Sequence, residues 1–243
     1  MSALSAAQIL SVWETGRHQH PLDRALTMLA SGLPGRLRSE LAALPIGERD
    51  RGLLALRSAT LGPVVELVSV CPACGGAVEF NFETADLQVA PGAVPGAMAE
   101  IEFAGRSWRF RLPTSVDLAG ISGIPDEQSA LHRLASQCLL PDNPGDGHTV
   151  PEWSAAALDL LQLRMSELDP QGEVRLDLLC PVCAHHWQES FDIADFFWRE
   201  LAAQARQLLH DVDILARAYG WNESEILSLS PARRQAYLEL AGI

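Results

Sequence analysis

Four cysteines stand in two short motifs of the same kind, and their spacing points to a single metal ion. The motifs are Cys71-Pro72-Ala73-Cys74 and Cys180-Pro181-Val182-Cys183. A gap of two residues lets one tight turn direct both sulfurs of a pair at the same ion, and two such pairs supply the thiolates of a structural zinc site. The sequence therefore predicts that one Zn²⁺ is bound by Cys71, Cys74, Cys180 and Cys183.

The residues around the two motifs also match when the first motif is shifted by 109 positions. The matching positions are Val65-Glu66-Leu67 with Val174-Arg175-Leu176, Val78 with Trp187, Phe82 with Phe191, and Ala85-Asp86 with Ala194-Asp195. Each copy is typical of a strand, a knuckle, a second strand and the start of a helix. We interpret the copies as two halves of one zinc ribbon, separated by an inserted segment.

Other chemistries fit the same four sulfurs. Iron binds four cysteines in rubredoxin-like sites, and a Cys-x-x-Cys pair can form a disulfide or a redox dithiol. A disulfide within one motif closes a small strained ring, and two copies with matching flanks are not typical of a redox site. Four protein thiolates leave no open coordination position, so we expect the ion to be structural rather than catalytic.

The patterns along the chain predict an α+β fold, mostly helical, with a four-cysteine zinc ribbon split by an inserted β-hairpin and helices. A helix after Pro45 carries leucines on one face, and its arginines at 49, 51 and 57 are predicted to face solvent. The predicted regions are an N-terminal helical region (1–63), the first ribbon half (64–87), the inserted hairpin and helices (88–172), the second ribbon half (173–193) and a C-terminal helical region (194–243).

The composition of the 243-residue chain narrows the classes of function. Its net charge of −13 opposes non-specific binding to a nucleic-acid backbone. All 18 basic residues are arginine, which excludes a P-loop lysine and Schiff-base chemistry. No apolar run reaches the about 18 residues that a membrane span needs. The first residues lack the basic and apolar regions of a signal peptide, so we expect a cytoplasmic protein with reduced thiols.

Several other polar residues are functional candidates, and each also has a structural explanation. His18 and His20 fit a solvated loop better than a metal site, and His185 or His186 fits packing beside the second knuckle better than a second metal site. Cys138 stands at helical spacing among leucines, as a buried small side chain does. The arginines at 106, 109 and 111 follow one face of the predicted hairpin, where a solvated strand face is the simpler explanation than a basic binding strip.

No motif indicates catalysis. The sequence has no HExxH, no G-x-S-x-G, no GxGxxG that opens a helix and no phosphate-binding loop. We therefore expect a protein that is not an enzyme. A nucleic-acid-binding zinc-ribbon accessory factor is the alternative, and it predicts basic residues near the knuckles. A hydrolase with a second metal at His185 or His186 is a third hypothesis.

The C-terminal sequence resembles a known family. The runs from Ala216 to Leu229 and from Arg233 to Leu238 are similar to the end of phage baseplate proteins related to the T-even-type baseplate hub assembly chaperone. The helix motif Leu53 to Arg57 before the first knuckle, and Phe196-Phe197-Trp198 after the second, resemble zinc-ribbon proteins encoded with phage-tail-like contractile injection systems. The similarity covers roughly residues 20 to 243.

The resemblance implies a role in the baseplate of a contractile tail. We expect such a protein either to act as an assembly chaperone or to be a component of the particle. Its expected partners are baseplate, spike or tube proteins, with neither nucleic acid nor a membrane among them.

Overall fold

Helices dominate the structure, and the strands form separate hairpins. The computed structural model describes residues 2–89, 98–141 and 151–242. The helices are α1 (Ala6–Gly16), α2 (Pro21–Gly32), α3 (Arg38–Ala42), α4 (Ile46–Leu61), α5 (Ser115–Ile121), α6 (Glu127–Cys138), α7 (Ala155–Leu168), α8 (Ile193–Tyr219), α9 (Glu223–Leu227) and α10 (Pro231–Leu240), with a 3-10 turn over Pro170–Gly172. The strands are β1 (Val64–Val70), β2 (Ala77–Glu83), β3 (Ala99–Phe103), β4 (Arg106–Phe110), β5 (Val174–Leu179) and β6 (His186–Phe191). The predicted α+β fold is confirmed.

Helix α8 is the centre of the largest hydrophobic core. The Asp192 carboxylate begins the helix by accepting hydrogen bonds from the backbone N–H groups of Ala194 and Asp195. Gly220 ends it in the left-handed conformation, with a φ of 71°. Helices α1, α2 and α4 pack against α8. Phe197 and Leu201 of α8 are fully buried among them, so α8 joins the N-terminal helices to the second knuckle that precedes it.

The hairpins that carry the knuckles have the same strand register. Val65 lies opposite Phe82 in the first hairpin, and Val174 lies opposite Phe191 in the second, as the shift of 109 residues predicts. Each hairpin nevertheless forms its own two-stranded sheet, so the two halves do not share a β-sheet. The helix expected after the first copy is also wrong, because residues 84–87 form only a turn. The two copies therefore share the hairpin, but only the second hairpin is followed by a helix, α8.

The inserted segment begins with the predicted hairpin and builds a second core. Ala104 and Gly105 form its turn with φ angles of 53° and 70°, as type I′ turns require. The stretch from Pro113 to Leu140 contains the two helices α5 and α6. The residues of this core come from β3, β4, α6, α7 and the residue after α6, and they are Ile101, Trp108, Phe110, Ala135, Leu139, Leu158 and Leu161. The division of the chain into five regions stays a prediction.

Polar contacts fasten the inserted segment to the start of α4. The backbone N–H of Ile46 donates to the carbonyl of Pro113 at 3.1 Å, and the N–H of Gly47 donates to Asp169 Oδ2 at 2.8 Å. A Cβ atom at position 47 would lie 1.9 Å from Asp169 Oδ1, so only glycine permits this approach. Buried Gln171 also holds the inserted segment in place. Its side-chain amide donates a hydrogen bond to the Leu87 carbonyl and accepts one from the backbone N–H of Val89.

The predicted exposure of the α4 arginines is wrong for two of the three. Arg49 and Arg57 are only 6% and 3% exposed. Arg49 donates to Asp50 Oδ1 at 2.7 Å and to the Ser115 hydroxyl at 3.2 Å, while burial raises the pKa of Asp50 to about 6. Arg57 forms a two-pronged ion pair with Glu200, at 2.6 and 2.9 Å. Acidic partners thus allow these arginines to be buried, and Glu200 is too distant in sequence for a local pattern to reveal.

Two predicted connections lie mainly outside the described residues. They are the Pro/Gly/Ala-rich linker from Gln88 to Ala99 and the loop from Pro141 to Gly147. Within the described ranges, no helix combines the length and the apolar character that crossing a lipid bilayer requires.

Replacing Arg57 with methionine should lower the free energy of unfolding by about 3 kcal/mol, because the Glu200 carboxylate would lose both of its bonds to the guanidinium in the core. Urea unfolding monitored by circular dichroism measures this loss. The matched control is Arg199→Met, which removes an ion pair with Asp195 whose two side chains are mostly exposed, and it should change stability by less than about 1 kcal/mol. Equal losses in the two variants would contradict the role of the buried pair.

Candidate metal centre

The two knuckles face each other and bring their four sulfur atoms together. Cys71, Cys74, Cys180 and Cys183 place their Sγ atoms within 4.8 Å of one another. Two close approaches join different knuckles: Cys71 Sγ lies 3.7 Å from Cys183 Sγ, and Cys74 Sγ lies 3.7 Å from Cys180 Sγ. Among the described residues, this is the one group of histidine, cysteine and acidic side chains with the spacing of a metal site.

The same backbone turn forms both knuckles. In the first, the N–H of Gly75 donates to the Cys71 carbonyl and the N–H of Cys71 donates to the Gly76 carbonyl, both at 2.9 Å. In the second, Ala184 and His185 take the places of Gly75 and Gly76 with the same 2.9 Å distances. These hydrogen bonds close a tight turn between the two strands of each hairpin. Each turn places both of its cysteine sulfurs next to the sulfurs of the other hairpin.

The spacing of the sulfurs fits a tetrahedral metal ion. Zinc–sulfur bonds of about 2.3 Å in a tetrahedron put neighbouring sulfurs about 3.8 Å apart. The two 3.7 Å separations match this value, and a disulfide would need sulfurs about 2.05 Å apart. The donor set and the spacing thus fit a four-coordinate ion with no open position.

The charges of the sulfurs lead to the same conclusion. The backbone N–H of Cys183 lowers the pKa of Cys180 to about 7. The backbone N–H of His185 favours the Cys183 thiolate, but desolvation and the three neighbouring sulfurs outweigh it and raise the pKa of Cys183 to about 12. A cation between the sulfurs would offset the repulsion among neighbouring thiolates.

One side of the sulfur cluster is buried and the other is exposed. Cys71 and Cys180, the first cysteine of each motif, are buried beside Val78, with Phe80 and Trp187 packed against them. Phe80 and Trp187 come from different hairpins and meet edge to face, with ring centroids 5.9 Å apart. Cys74 and Cys183 are exposed. An ion bound here would thus hold the two hairpins together at the solvent side of the contact between Phe80 and Trp187.

A second link between the hairpins was not expected from the sequence. The Ser69 hydroxyl of β1 contacts the Glu189 carboxylate of β6, and the indole N–H of Trp187 approaches the same carboxylate at 3.4 Å. Glu189 matches Phe80 in the repeat, so the one available signal was the change from an aromatic side chain to a carboxylate at this position.

The other candidates take structural places within the described residues. His20 Nδ1 accepts a hydrogen bond from the N–H of Leu22 at the start of α2, His18 and His186 are exposed, and His185 stacks on Trp187 with centroids 6.2 Å apart. Cys138 is fully buried, and burial raises the pKa of its thiol to about 12. None of these residues belongs to the sulfur group.

The arginines of the β3–β4 hairpin are held by local contacts rather than aligned as a free basic strip. Arg106 lies over the Trp108 ring at 4.5 Å, and Arg109 donates to the Pro141 carbonyl at 2.6 Å. Arg111 forms two bonds with Asp117, at 2.6 and 2.8 Å. These contacts indicate that the three guanidinium groups stabilise the inserted segment.

Purified protein should contain one zinc ion per chain, measured by inductively coupled plasma mass spectrometry. Cys183→Ser should lose the ion and unfold at lower denaturant concentration, because a site with three thiolates holds zinc less tightly. Val182→Ser is the matched control, since it changes an exposed side chain of the same knuckle that supplies no ligand. Zinc content that is unchanged in Cys183→Ser would show that this cysteine is not a ligand.

Replacing Ala184 with glycine should raise the free energy of unfolding by about 1 kcal/mol, because Ala184 has a φ of 56°, in the left-handed region where a Cβ atom is unfavourable. The reciprocal change, Gly75→Ala at the matched turn, should lower it by a similar amount. A Cβ atom at position 75 would meet nothing within 4 Å, so packing does not obscure the comparison. Urea unfolding of the zinc-loaded variants measures both effects, and changes of the same sign would contradict the strain.

Comparison with known protein families gives a match over the first part of the chain. Residues 26–140 match the family described as T4 bacteriophage base plate protein. The matched part begins in α2 and includes the first knuckle and the β3–β4 hairpin. It ends before the C-terminal runs that resemble a hub assembly chaperone. The closer relation to that chaperone therefore stays a prediction. Comparison with curated proteins and with solved structures gives no match. The resemblance to phage baseplate proteins is confirmed, and residues 26–140 carry the sequence pattern of the T4 bacteriophage base plate protein family.

Proposed function

We propose that this chain is a non-enzymatic, zinc-stabilised protein that acts in the assembly of, or as a component of, the baseplate of a phage tail or phage-tail-like contractile injection system. The observation that carries the proposal is the family match over residues 26–140. The expected site of action is the cytoplasm, where its thiols stay reduced and its expected partners, baseplate, spike or tube proteins, are made.

The sulfur cluster supports a role that depends on rigidity. The first knuckle follows α4 and β1 inside the family match, while the second immediately precedes β6 and α8. An ion held by both knuckles fixes two parts of the chain that are more than 100 residues apart in sequence. Such a clip contributes on the order of 10 kcal/mol of apparent folding free energy. Surfaces on both parts would then be presented to a partner in one fixed arrangement.

The charge around the knuckles disfavours the nucleic-acid-binding alternative. The chain carries a net charge of −13, and a basic surface is what binding to phosphates requires. Acidic side chains occupy the hairpins and their ends instead, and all but the half-buried Glu189 are exposed: Glu79, Glu83, Asp86, Asp177, Glu189 and Asp192. A nucleic-acid backbone would be repelled from this part of the protein.

The geometry also supports a non-enzymatic role. Four cysteines would fill the coordination shell of a zinc ion, which leaves it no position for a substrate or a water molecule. The histidines that could have formed a second metal site instead cap a helix, stack on an indole or face solvent. The proposal therefore assigns the ion to stability and assigns the activity of the protein to its surfaces.

A tagged pull-down from the native host, read by mass spectrometry, tests the proposed role. We expect baseplate, spike or tube proteins to be recovered with the full chain. Val182→Ser should recover the same proteins as the unmodified chain. Cys183→Ser should recover much smaller amounts of them, because the ion would no longer hold the two hairpins together. Recovery of RNA polymerase or nucleic acid in place of tail proteins would contradict the proposal. The presence or absence of the chain in purified particles then distinguishes a component from an assembly factor.

A further inference from the structure

The outward face of the β1–β2 hairpin is apolar along one strand. Val65, Leu67 and Ser69 turn toward the rest of the protein, so their neighbours along β1 turn away from it. Three of these neighbours are valines: Val64, Val68 and Val70 are 47%, 64% and 62% exposed. A solvated strand face is expected to be polar, whereas three of the four outward positions of β1 are apolar.

The second hairpin shows what a solvated face looks like in the same register. The position that matches Val68 is Asp177, which accepts a hydrogen bond from the Gln188 side chain at 2.8 Å. The position that matches Glu66 is Arg175, which pairs with Glu173. The position that matches Val70 is Leu179, which is also apolar and 47% exposed. The two hairpins share a register, so the strand pairing does not require Val64 and Val68. Their presence points to a surface that is covered by another molecule.

Acidic side chains border the valines without counter-charges. Glu66 lies between Val64 and Val68 on β1, and Glu79 and Glu83 lie opposite Val68 and Val64 on β2. All three carboxylates are exposed, and within the described part of the chain no arginine or histidine forms an ion pair with them. The face thus combines an apolar stripe with an uncompensated negative charge.

This combination specifies the chemistry of the partner. A second copy docked by the same face would bring carboxylates against carboxylates, so self-association is disfavoured. Nucleic acid is repelled for the same reason. Apolar side chains flanked by arginine or lysine would cover the valines and neutralise the glutamates together.

We propose that the β1–β2 face, formed by Val64, Glu66, Val68, Val70, Glu79 and Glu83, binds a partner protein through a surface of apolar side chains bordered by arginine or lysine. The face lies within the residues that match the baseplate family. The nature of the partner as a baseplate protein rests on the proposed function, whereas the chemistry of its contact surface rests on the face alone.

Site-specific photo-crosslinking tests the face in the full chain. The photoreactive residue p-benzoylphenylalanine is placed at position 68 and, as a matched control, at Leu163, an exposed leucine on α7. Both variants are expressed in the native host, irradiated, and the crosslinked peptides are sequenced by mass spectrometry. We expect position 68 to crosslink to one partner segment that contains apolar residues with arginine or lysine beside them, and position 163 not to crosslink to that segment.

Two further substitutions measure how much the face contributes. Val68→Asp installs the residue that the second hairpin has at this position, and it should lower recovery of the same partner by about tenfold, as loss of an interface contact of about 1.4 kcal/mol does. Leu163→Asp adds the same charge elsewhere and should leave recovery unchanged. Circular dichroism and zinc content confirm that each variant is folded.

The outcomes separate this proposal from the broader function. A crosslink from position 68 to an acidic segment, a crosslink to a second copy of this chain, or no crosslink at all would overturn the docking face. A crosslink to a basic, apolar segment of a protein that does not belong to the tail would support the face and contradict the baseplate role.

Discussion

The contact between the two knuckles is the constraint on which the rest of the structure depends. It joins residues more than 100 positions apart, and every sulfur in it is needed for a closed tetrahedral shell. Without a cation, four thiolates at this distance repel one another. With one, the outer ends of two hairpins are fixed while Phe80 and Trp187 pack between them. The inserted residues must therefore leave the first hairpin and return to the second, and the contacts of Asp169 and Gln171 hold that return segment in place.

The two knuckle hairpins have the same backbone arrangement, but the side chains on their outer faces differ. Their strand pairs and turn hydrogen bonds correspond position by position, and the second hairpin continues into α8 and the main core. The first ends in a turn and keeps an apolar, acidic outer face. One copy thus serves mainly to organise the fold, which leaves the other able to serve as a binding surface. This division is in line with the proposed function, in which the protein acts by binding other proteins.

Local sequence patterns predicted the parts of the fold that local chemistry determines. The two knuckles and the inserted β-hairpin follow from residue types within a few positions. Long-range pairing was not predictable in this way. Arg57 and Arg234 are buried because Glu200 and Asp211 lie beside them, and no helical periodicity indicates a partner on another element. For the same reason the sequence showed four candidate ligands but not that their hairpins would form separate sheets.

X-ray absorption at the zinc edge of the purified full chain tests the central claim most directly, because it reports the ligand atoms around the ion itself. We expect a single shell of four sulfurs at about 2.3 Å from zinc. A shell that includes nitrogen at about 2.0 Å would show that a histidine replaces one of the four cysteines. That result, or a protein that folds with no zinc absorption at all, would contradict a closed four-cysteine clip.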